Sequence, residues 1–299
     1  MKKLLNKWRK SNSRGNEIFL PAETEYTGNG MGELDSDRNT DVQFGLLECA
    51  SAQSVGLQRE KNEDSLFKIC ADIYENGLQI PFGTFVVADG MGGHQHGELA
   101  SAAAVEKFIE IAVNNIYSPQ LTEQKLKSVM ETEQIAKMAV QKANAYVQAQ
   151  APGGGTTLTA AIVYGKNLTI AHVGDSRAYL FHPEGSLELI TRDHSLVNKL
   201  VETGQITEKQ AGSHPQRNIL LRALGNDSDP EVDVVSMEFP QDTTLLICSD
   251  GLWGVVPEKE LVAVLGENAF LPEACKKMVA MANARGGPDN ISVVLVRHP

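Results

Sequence analysis

The feature that most constrains this chain is a short apolar run that ends in an acid, because the pattern occurs three times. Residues 84–88 (TFVVA) are uncharged and mostly apolar, and Asp89 and a glycine-rich turn follow them. The runs 168–174 and 243–249 end in the same way, at Asp175 and at Asp250. A short apolar run bounded by turn residues is typical of a buried strand. We therefore expect three carboxylates at strand ends, with glycines that let a ligand approach the backbone.

A fourth acid stands at the start of a strand. Asp289 and Asn290 precede the apolar run ISVVLV. If this strand is antiparallel to its neighbour, its first residue lies at the sheet edge where the neighbour ends. The four carboxylates would then converge, and like charges at short range need a counter-charge. A divalent cation is the simplest one, so the pattern predicts a metal site at this edge.

The glycine-rich turn 90–93 has two rival interpretations as a phosphate-binding loop, and its spacing excludes both. A P-loop ends in Lys and then Ser or Thr, whereas this turn is followed by His94, Gln95 and His96. A dinucleotide-binding loop needs a third glycine where the chain has Gln95. The turn is therefore expected to flank a metal ligand, and the Gly90 carbonyl is itself a candidate ligand. Such an all-oxygen site favours magnesium or manganese over zinc or copper.

Composition limits the class of protein. The chain has 299 residues and a formal net charge of -11, which argues against binding to nucleic acid. Its four cysteines lie far apart without a CxxC pair, so neither a zinc site nor a disulfide framework is expected. Three of them lie in apolar runs and are expected in the core, as in a reduced, cytoplasmic protein. No apolar run approaches the roughly 18 residues of a membrane span.

Residues 1–41 differ from the rest of the chain. Six basic residues precede the first acid, Glu17, with Leu4, Leu5 and Trp8 among them, and an acidic, glycine-rich stretch follows. A disordered tail and a short amphipathic anchor for an anionic membrane or a partner are both open. We expect the disordered tail, because one or two helical turns are marginal in water. The folded domain is then 42–299.

The order of the elements in this domain predicts an α+β fold. Strand-like runs at 44–51, 65–73 and 84–88 precede two helices, at about 97–115 and 123–150, whose apolar stripes include Leu99 and Val113. A strand-rich block at 156–190 has short connections, which indicate antiparallel hairpins. Helices at about 257–265 and 272–284 precede a last strand, 291–297. This order favours antiparallel sheets with helices packed outside them.

Seven motifs carry a resemblance to a known family. They are RxxxED (59–64), DGMGGH (89–94), GTT (155–157), GDSR (174–177), TRDHS (191–195), SDGLW (249–253) and PDNISVV (288–294). Together they resemble the bacterial branch of the type-2C, or PPM, family of metal-dependent protein serine/threonine phosphatases. The resemblance implies a four-layer α/β/β/α sandwich, with two mainly antiparallel sheets face to face and helices on both outer sides. It also implies a flap at about 192–225 that influences substrate choice.

The resemblance implies two Mn²⁺ or Mg²⁺ ions, with a third, weaker one. The metal ligands that it implies are Glu63, Asp89, Gly90, Asp175, Asp250 and Asp289. Asp89 would bridge the two ions and the Gly90 carbonyl would bind one of them. Asp175 and Asp250 would hold the third.

Three further residues would support the reaction. Arg59, four residues before Glu63, offers the planar cation that bidentate phosphate recognition requires, and the resemblance gives it that role. Asp64 would support the site without binding metal, and Asn290 would orient its neighbouring acid. Where eukaryotic relatives often carry a histidine proposed as general acid, this chain has Met91, which cannot donate a proton. His94 and a metal-bound water are the alternative donors, and a structural role for His94 is equally open.

The implied reaction is hydrolysis of phosphoserine and phosphothreonine on proteins by a metal-activated water, reversing a bacterial Ser/Thr kinase. The expected partners are phosphoprotein substrates, the kinase and its targets, and the chain is expected to be a monomer. A catalytically inactive binding module is the alternative, but it predicts loss of metal acids, and Asp89, Asp250 and Asp289 are present. A regulator of a sigma-factor pathway is a third hypothesis, for which the sequence shows no sensor domain.

Other polar residues near these motifs are expected to be structural. His172 lies inside an apolar strand, so we expect it to be a core histidine whose ring nitrogens have hydrogen-bond partners. Trp253 is expected to pack beneath the site, and residues 156–157 to begin a strand. His194 and His214 lie in the predicted flap, where a surface position is expected.

Overall fold

The computed structural model describes residues 47–75, 78–92, 96–120, 129–226 and 229–298. The chain divides into the units Met1–Val42 and Gln43–Pro299, and all described residues belong to the second. The predicted disordered tail, residues 1–41, lies outside the described residues, as does His94.

Two antiparallel sheets form the centre of the domain. In chain order the described strands are β1 (Glu48–Ser54), β2 (Asp64–Glu75), β3 (Leu78–Met91), β4 (Gly155–Thr156), β5 (Leu158–Tyr164), β6 (Asn167–Val173), β7 (Arg177–Phe181), β8 (Leu187–Leu189), β9 (Asp233–Glu238), β10 (Thr243–Cys248) and β11 (Ile291–His298). The first sheet has the order β1-β11-β10-β7-β8. The second has the order β2-β3-β5-β6-β9, with β4 paired to β3.

Helices cover the outer faces of both sheets. The described helices are α1 (His96–Ala112), which continues through a π-helical turn (Val113–Tyr117) into α2 (Ser118–Gln120), then α3 (Val129–Gln150), α4 (Leu196–Glu202), α5 (Glu208–Ala211), α6 (Asp250–Trp253), α7 (Glu258–Glu267) and α8 (Leu271–Ala284). Helices α1 and α3 pack on the second sheet, and α8, with α7 beside it, packs on the first. Among the described residues, no helix combines the length and apolar character that a membrane span requires.

Side-chain alternation along the strands builds three apolar layers. In β3, Phe85 and Val87 point between the two sheets, whereas Val86 and Ala88 point towards α1 and α3. In β11, Val294 points between the sheets and its neighbours point towards α7 and α8. Strands buried on both faces lack a polar side, and this explains their continuous apolar runs. The four-layer α/β/β/α sandwich is therefore confirmed.

Several sequence-based details were wrong. Leu99 and Val113, expected in the core stripe of the first helix, are 50% and 43% exposed. The buried stripe runs through Ala100, Ala104 and Phe108 instead, and Val113 begins the π-helical turn, which shifts the following residues around the axis. Strand β9 was missed because its half-buried, partly polar sequence DVVSME shows no clear alternation.

Candidate active site

Strand pairing brings the acids of both sheets to one edge of the sandwich. Asp64, the first residue of β2, lies directly opposite Asp89 of β3. Strands β10 and β11 are antiparallel, as predicted, with Cys248 opposite Val293. The end of β10 and the start of β11 therefore meet, which places Asp250 and Asp289 at one edge.

Asp64 is buried, and two serines from the first sheet bind its carboxylate. The hydroxyls of Ser249 and Ser292 donate to its Oδ2 at 2.8 and 2.7 Å. Its Oδ1 is buried without a hydrogen-bond partner. Burial raises the pKa of Asp64 to about 7, and the nearby charges of Asp250 and Asp289 add to the shift against the effect of the serines. The site therefore holds a buried carboxylate whose ionised form lacks a counter-charge.

The backbone of Asp89 is fixed by two threonines of the GTT motif. Thr157 Oγ1 accepts from the Asp89 amide at 2.9 Å, and the Thr157 amide donates to the Asp89 carbonyl at 2.9 Å. Thr156 Oγ1 donates to the same carbonyl at 2.9 Å. Residues 156–157 were expected to begin a strand, but Thr156 ends the short strand β4 and Thr157 lies between β4 and β5, where the two threonines position this acid. Burial, and then the charge of Asp64, raise the pKa of Asp89 well above its usual range.

Glycines allow Glu63 and Gly90 to lie side by side. The Gly90 amide donates to the Glu63 carbonyl at 3.1 Å. A Cβ on Gly90 would lie 2.2 Å from the Gly97 carbonyl oxygen and 2.5 Å from that of Glu63. A Cβ on Gly97, at the start of α1, would lie 2.9 Å from Glu63 Oε1. Because real Cβ contacts with backbone atoms are essentially never this short, only glycine fits at position 90, whereas a Cβ at position 97 would displace the end of the Glu63 side chain.

Asp250, which is partly exposed, and Asp175, which is buried, complete the group of acids. Asp250 Oδ1 is buried without a partner, and burial, then the charge of Asp289, raise the pKa of Asp250 to about 6. Asp175 is 7% exposed, and burial and the charge of Asp250 raise its pKa well above the usual range. Trp253 Nε1 donates to the Asp175 carbonyl at 3.0 Å, and the Arg177 guanidinium lies 3.6 Å from the Trp253 ring centre. Trp253 thus packs against the site, and also holds the backbone of an acid.

Arg59 lies at the exposed side of the acids. Its Nη2 donates to Asp289 Oδ2 at 2.7 Å, and its side chain is 49% exposed. The other Asp289 oxygen, Oδ1, accepts from the Asn290 amide at 2.9 Å. Arg59 therefore shares the site with the acids while most of its donors remain accessible.

The side chain of Asn290 anchors the loop that carries Arg59 and Glu63. Its Oδ1 accepts from the Glu63 amide at 2.8 Å, and its Nδ2 donates to the carbonyls of Val55 and Lys61 at 2.8 Å each. Only its backbone amide contacts Asp289. The link to the neighbouring acid is thus a backbone contact, while the side chain positions the loop.

The residues present fit a divalent cation. The donors are carboxylate and carbonyl oxygens, and two buried oxygens, Asp64 Oδ1 and Asp250 Oδ1, lack partners. Within the described part of the chain, no group of three or more His, Cys, Asp or Glu side chains forms a ready metal cage. Asp289 is held by Arg59 and Asp64 by two serines, so the carboxylates face one region without enclosing it. A cation would supply the missing counter-charge.

A cavity of about 560 Å³ lies between these acids and the flap. Its lining includes Asp175, Asp250 and Trp253 from the site, and Asp193, Arg217 and Glu258 around it. In the flap, Thr207 and Gln210 form a capping box at the start of α5. A protein segment bound at the acids would therefore contact the flap.

Two histidines lie near the site, and the sequence predicted the position of one of them correctly and that of the other wrongly. His172 is buried, with Nδ1 2.9 Å from Thr159 Oγ1 and Nε2 3.1 Å from the Arg192 carbonyl, as expected for a core histidine. His194 is only 4% exposed, so its predicted surface position was wrong. Its Nδ1 accepts from the Gly174 amide and its Nε2 bonds Asp233 Oδ2, each at 3.1 Å. His194 thus holds the turn before Asp175.

Sequence reasoning missed the two serines that bind Asp64. Ser249 is next to Asp250 in a recognised motif, and Ser292 is the second residue of an apolar strand. A polar residue inside an otherwise apolar run was the available signal, because a buried hydroxyl needs a partner. Its partner could not be named, because Asp64 lies in the other sheet.

Comparisons with known proteins agree with this geometry. The family model for protein phosphatase 2C matches residues 61–295. The serine/threonine phosphatase Stp of Listeria welshimeri is 39% identical over 243 residues, which cover 81% of this chain and 92% of that protein. The structure of a serine/threonine phosphatase of S. agalactiae superposes with a TM-score of 0.71 and 31% identity, covering 85% of this chain and 100% of that one.

A further solved structure carries metal. It is the catalytic domain of the serine/threonine protein phosphatase PstP in complex with two manganese ions, with a TM-score of 0.67 and 29% identity over 84% of this chain and 97% of that one. The family match, the sequence relatives and the sandwich all agree. The chain belongs to the protein phosphatase 2C family and is a bacterial protein serine/threonine phosphatase of the PPM type.

Proposed function

We propose that this phosphatase hydrolyses phosphoserine and phosphothreonine with two Mn²⁺ or Mg²⁺ ions, and that it reverses a Ser/Thr kinase of the same cell. The observation that carries the metal dependence is Asp250 Oδ1, a buried oxygen of a proposed ligand that has no hydrogen-bond partner in the described part of the chain. Buried anionic oxygens without partners are costly, so a bound cation is their simplest complement.

Each residue has a role in this proposal. Glu63, Asp89, Asp250, Asp289 and the Gly90 carbonyl would hold the two ions, and Asp175 with Asp250 a third. When bound, the ions neutralise phosphoryl oxygens and lower the pKa of the attacking water. The pairing of β2 with β3 and of β10 with β11 fixes the spacing of the acids. No large movement is then needed to assemble the site.

Arg59 would bind the substrate phosphate. One of its nitrogens is occupied by Asp289, and the guanidinium has further donors for phosphate oxygens. Asn290 holds its loop in place through Val55 and Lys61. Met91, at the end of β3, carries no proton for the leaving oxygen, so the proton comes from another group.

We further propose that the enzyme acts on cytoplasmic phosphoproteins as a monomer, with a kinase and its targets as partners. The phosphatase relatives support phosphoprotein substrates. Cell fractionation and size-exclusion chromatography test the location and the monomer. Recovery in the membrane fraction would instead favour an anchoring role for the N-terminal segment.

The first experiment is hydrolysis of para-nitrophenyl phosphate by the purified chain with manganese, with magnesium and with EDTA. We expect turnover with metal and none with EDTA, followed by activity on phosphoserine and phosphothreonine peptides. Turnover that persists in EDTA would contradict the metal-dependent mechanism. A folded sample inactive with every metal would favour the inactive binding module.

A further inference from the structure

Two cysteines touch across the open edge of the sandwich. Cys49 lies in β1, the outer strand of the first sheet, and Cys70 lies in β2, the outer strand of the second. Their Sγ atoms are 2.7 Å apart, and both side chains are half-buried. The other two cysteines, Cys248 and Cys275, are fully buried. The proposed hydrolysis uses neither member of the pair.

The surroundings give the two thiols different reactivity. The Lys68 ammonium lies 3.9 Å from Cys49 Sγ. The hydrogen bond with Cys70 lowers the pKa of Cys49 to about 6 against the effect of burial, and the Lys68 charge adds to the shift. The same contact raises the pKa of Cys70. Since the thiolate is the nucleophile and the Lys68 ammonium lies beside the Cys49 sulfur, Cys49 is the attacking group and Cys70 is placed to react next.

The position of the pair limits what a bond between them would change. Cys70 is six residues along β2 from Asp64, roughly 20 Å at the rise of an extended strand. A bond would close the chain from 49 to 70 into a ring that contains Arg59, Glu63 and Asp64. Because the two sulfurs already touch, it would form without moving the strands that hold those residues.

We propose that Cys49 and Cys70 form a peroxide-oxidisable dithiol site that joins the two sheets covalently. The Cys49 thiolate attacks hydrogen peroxide: an S–O bond forms, the O–O bond breaks, and the released hydroxide takes a proton to become water. Cys70 then loses its proton and attacks the Cys49 sulfenic sulfur. The S–S bond forms, the S–O bond breaks, and the second oxygen leaves as water. Two thiols and one peroxide thus give one disulfide and two waters.

The test uses the full chain, reduced and then treated with hydrogen peroxide, with free-thiol counting and peptide mapping by mass spectrometry without reductant. We expect two thiols to be lost and a cross-linked peptide pair carrying Cys49 and Cys70, which dithiothreitol reverses. The matched control Cys248→Ser should give the same cross-link. In Cys70→Ser a dimedone adduct should accumulate at Cys49, whereas Cys49→Ser should yield neither product.

Thermal unfolding provides a second measurement. The oxidised chain should unfold roughly 5–10 °C above the reduced chain, because the ring restricts the unfolded state. Cys49→Ser should show no such rise. Four unreacted thiols, a cross-link through other cysteines, or a sulfenic acid that persists at Cys49 in the unaltered chain would each overturn the proposal. None of these readouts depends on phosphatase activity, so failure here is distinct from failure of the proposed reaction.

Discussion

Two groups of buried titratable side chains lie next to each other at one end of the sandwich, and their polar atoms are satisfied differently. Around His194, both ring nitrogens have partners within the chain, Gly174 and Asp233. Among the acids, one oxygen of Asp64 and one of Asp250 have none. The histidine group is therefore complete by itself, whereas the acid group is complete only with a ligand. Here the partnerless oxygens belong to carboxylates that converge at one edge, and this combination distinguishes the acid group from the histidine group.

The comparison predicts its largest effect at Asp250. In Asp250→Asn the metal site loses a charge that it needs, while burial of an uncharged amide causes little loss of folding. We expect manganese-dependent turnover to fall by about a hundredfold or more, since metal stabilisation of the transition state amounts to several kcal/mol. Steady-state kinetics measures the loss of turnover, and circular dichroism measures whether the fold is retained.

Asp242→Asn is the matched control for that variant. Asp242 is exposed and precedes β10, the strand that Asp250 follows, and its positive φ of 57° suits asparagine. It should retain the activity of the unaltered chain. Unaltered rates in Asp250→Asn would remove this acid from the metal site.

The next largest effect is expected in the histidine group around His194, and it concerns the free energy of unfolding. His194→Ala leaves the Gly174 amide and the Asp233 carboxylate without their shared partner, which should lower the free energy of unfolding by about 2–3 kcal/mol. His214→Ala, with a local hydrogen bond to the Gln216 amide in the flap, should change it by about 0.5 kcal/mol or less. Urea denaturation measures both. Equal effects of the two substitutions would show that burial of His194 does not stabilise the fold.

In metal-free protein, the histidine group and the acid group should change the free energy of unfolding in opposite directions as the pH changes. Burial, with the charge of His194, lowers the pKa of His172 to about 3, so its contribution is present above pH 6.5 and is lost as pH falls towards 3. The pKa of Asp250 is raised to about 6, so its contribution is present below about pH 4 and is lost as pH rises through 6. Each slope is at most about 1.4 kcal/mol per pH unit.

Urea unfolding in EDTA between about pH 4 and pH 6.5 tests this opposition. His172→Asn should weaken the acid-side decline in the free energy of unfolding. Asp250→Asn should weaken the decline towards neutral pH, and the raised pKa values of Asp64, Asp89 and Asp175 leave part of that decline in place. Stabilisation by added manganese should grow with pH, because the cation needs ionised carboxylates. A pH profile that neither substitution alters would place the titrating groups elsewhere.

The smallest effect concerns a partner of Asp64. Ser292→Ala removes one of the two hydroxyls that bind Oδ2 and leaves Ser249 in place. We expect a loss of about 1 kcal/mol in the free energy of unfolding and a reduction of only a few-fold in turnover. Chemical denaturation and steady-state kinetics of the metal-loaded enzyme check it. A loss of turnover as large as that of Asp250→Asn would assign Ser292 a direct part in the reaction.

The sequence predicted antiparallel sheets with helices outside them and the meeting of the acids from local patterns, whereas the four-layer sandwich came from the resemblance to a family. An acid that ends one strand meets an acid that starts an antiparallel neighbour, as Asp250 and Asp289 do. The flap and the role of Arg59 came from the resemblance to a family. These parts required no knowledge of which sheet packs on which.

The contacts that escaped prediction cross between distant segments. Ser249 and Ser292 reach Asp64 across separations of 185 and 228 residues. His194 was expected at the surface because it lies in the predicted flap, yet its partner Asp233 lies in β9, which itself was missed. Such contacts depend on how complete sheets pack, which alternation and spacing do not encode.

The pairing of the first and last described strands has a consequence for engineering. Glu48 of β1 lies opposite Arg297 of β11, so the two ends of the described domain are neighbours in one sheet. That end of the sheet is far from Asp289, and so is the exposed 183–185 turn between β7 and β8. A short linker from residue 298 to residue 47, with new termini opened in that turn, would give a circular permutant. Its fold and its carboxylate edge should both survive the cut.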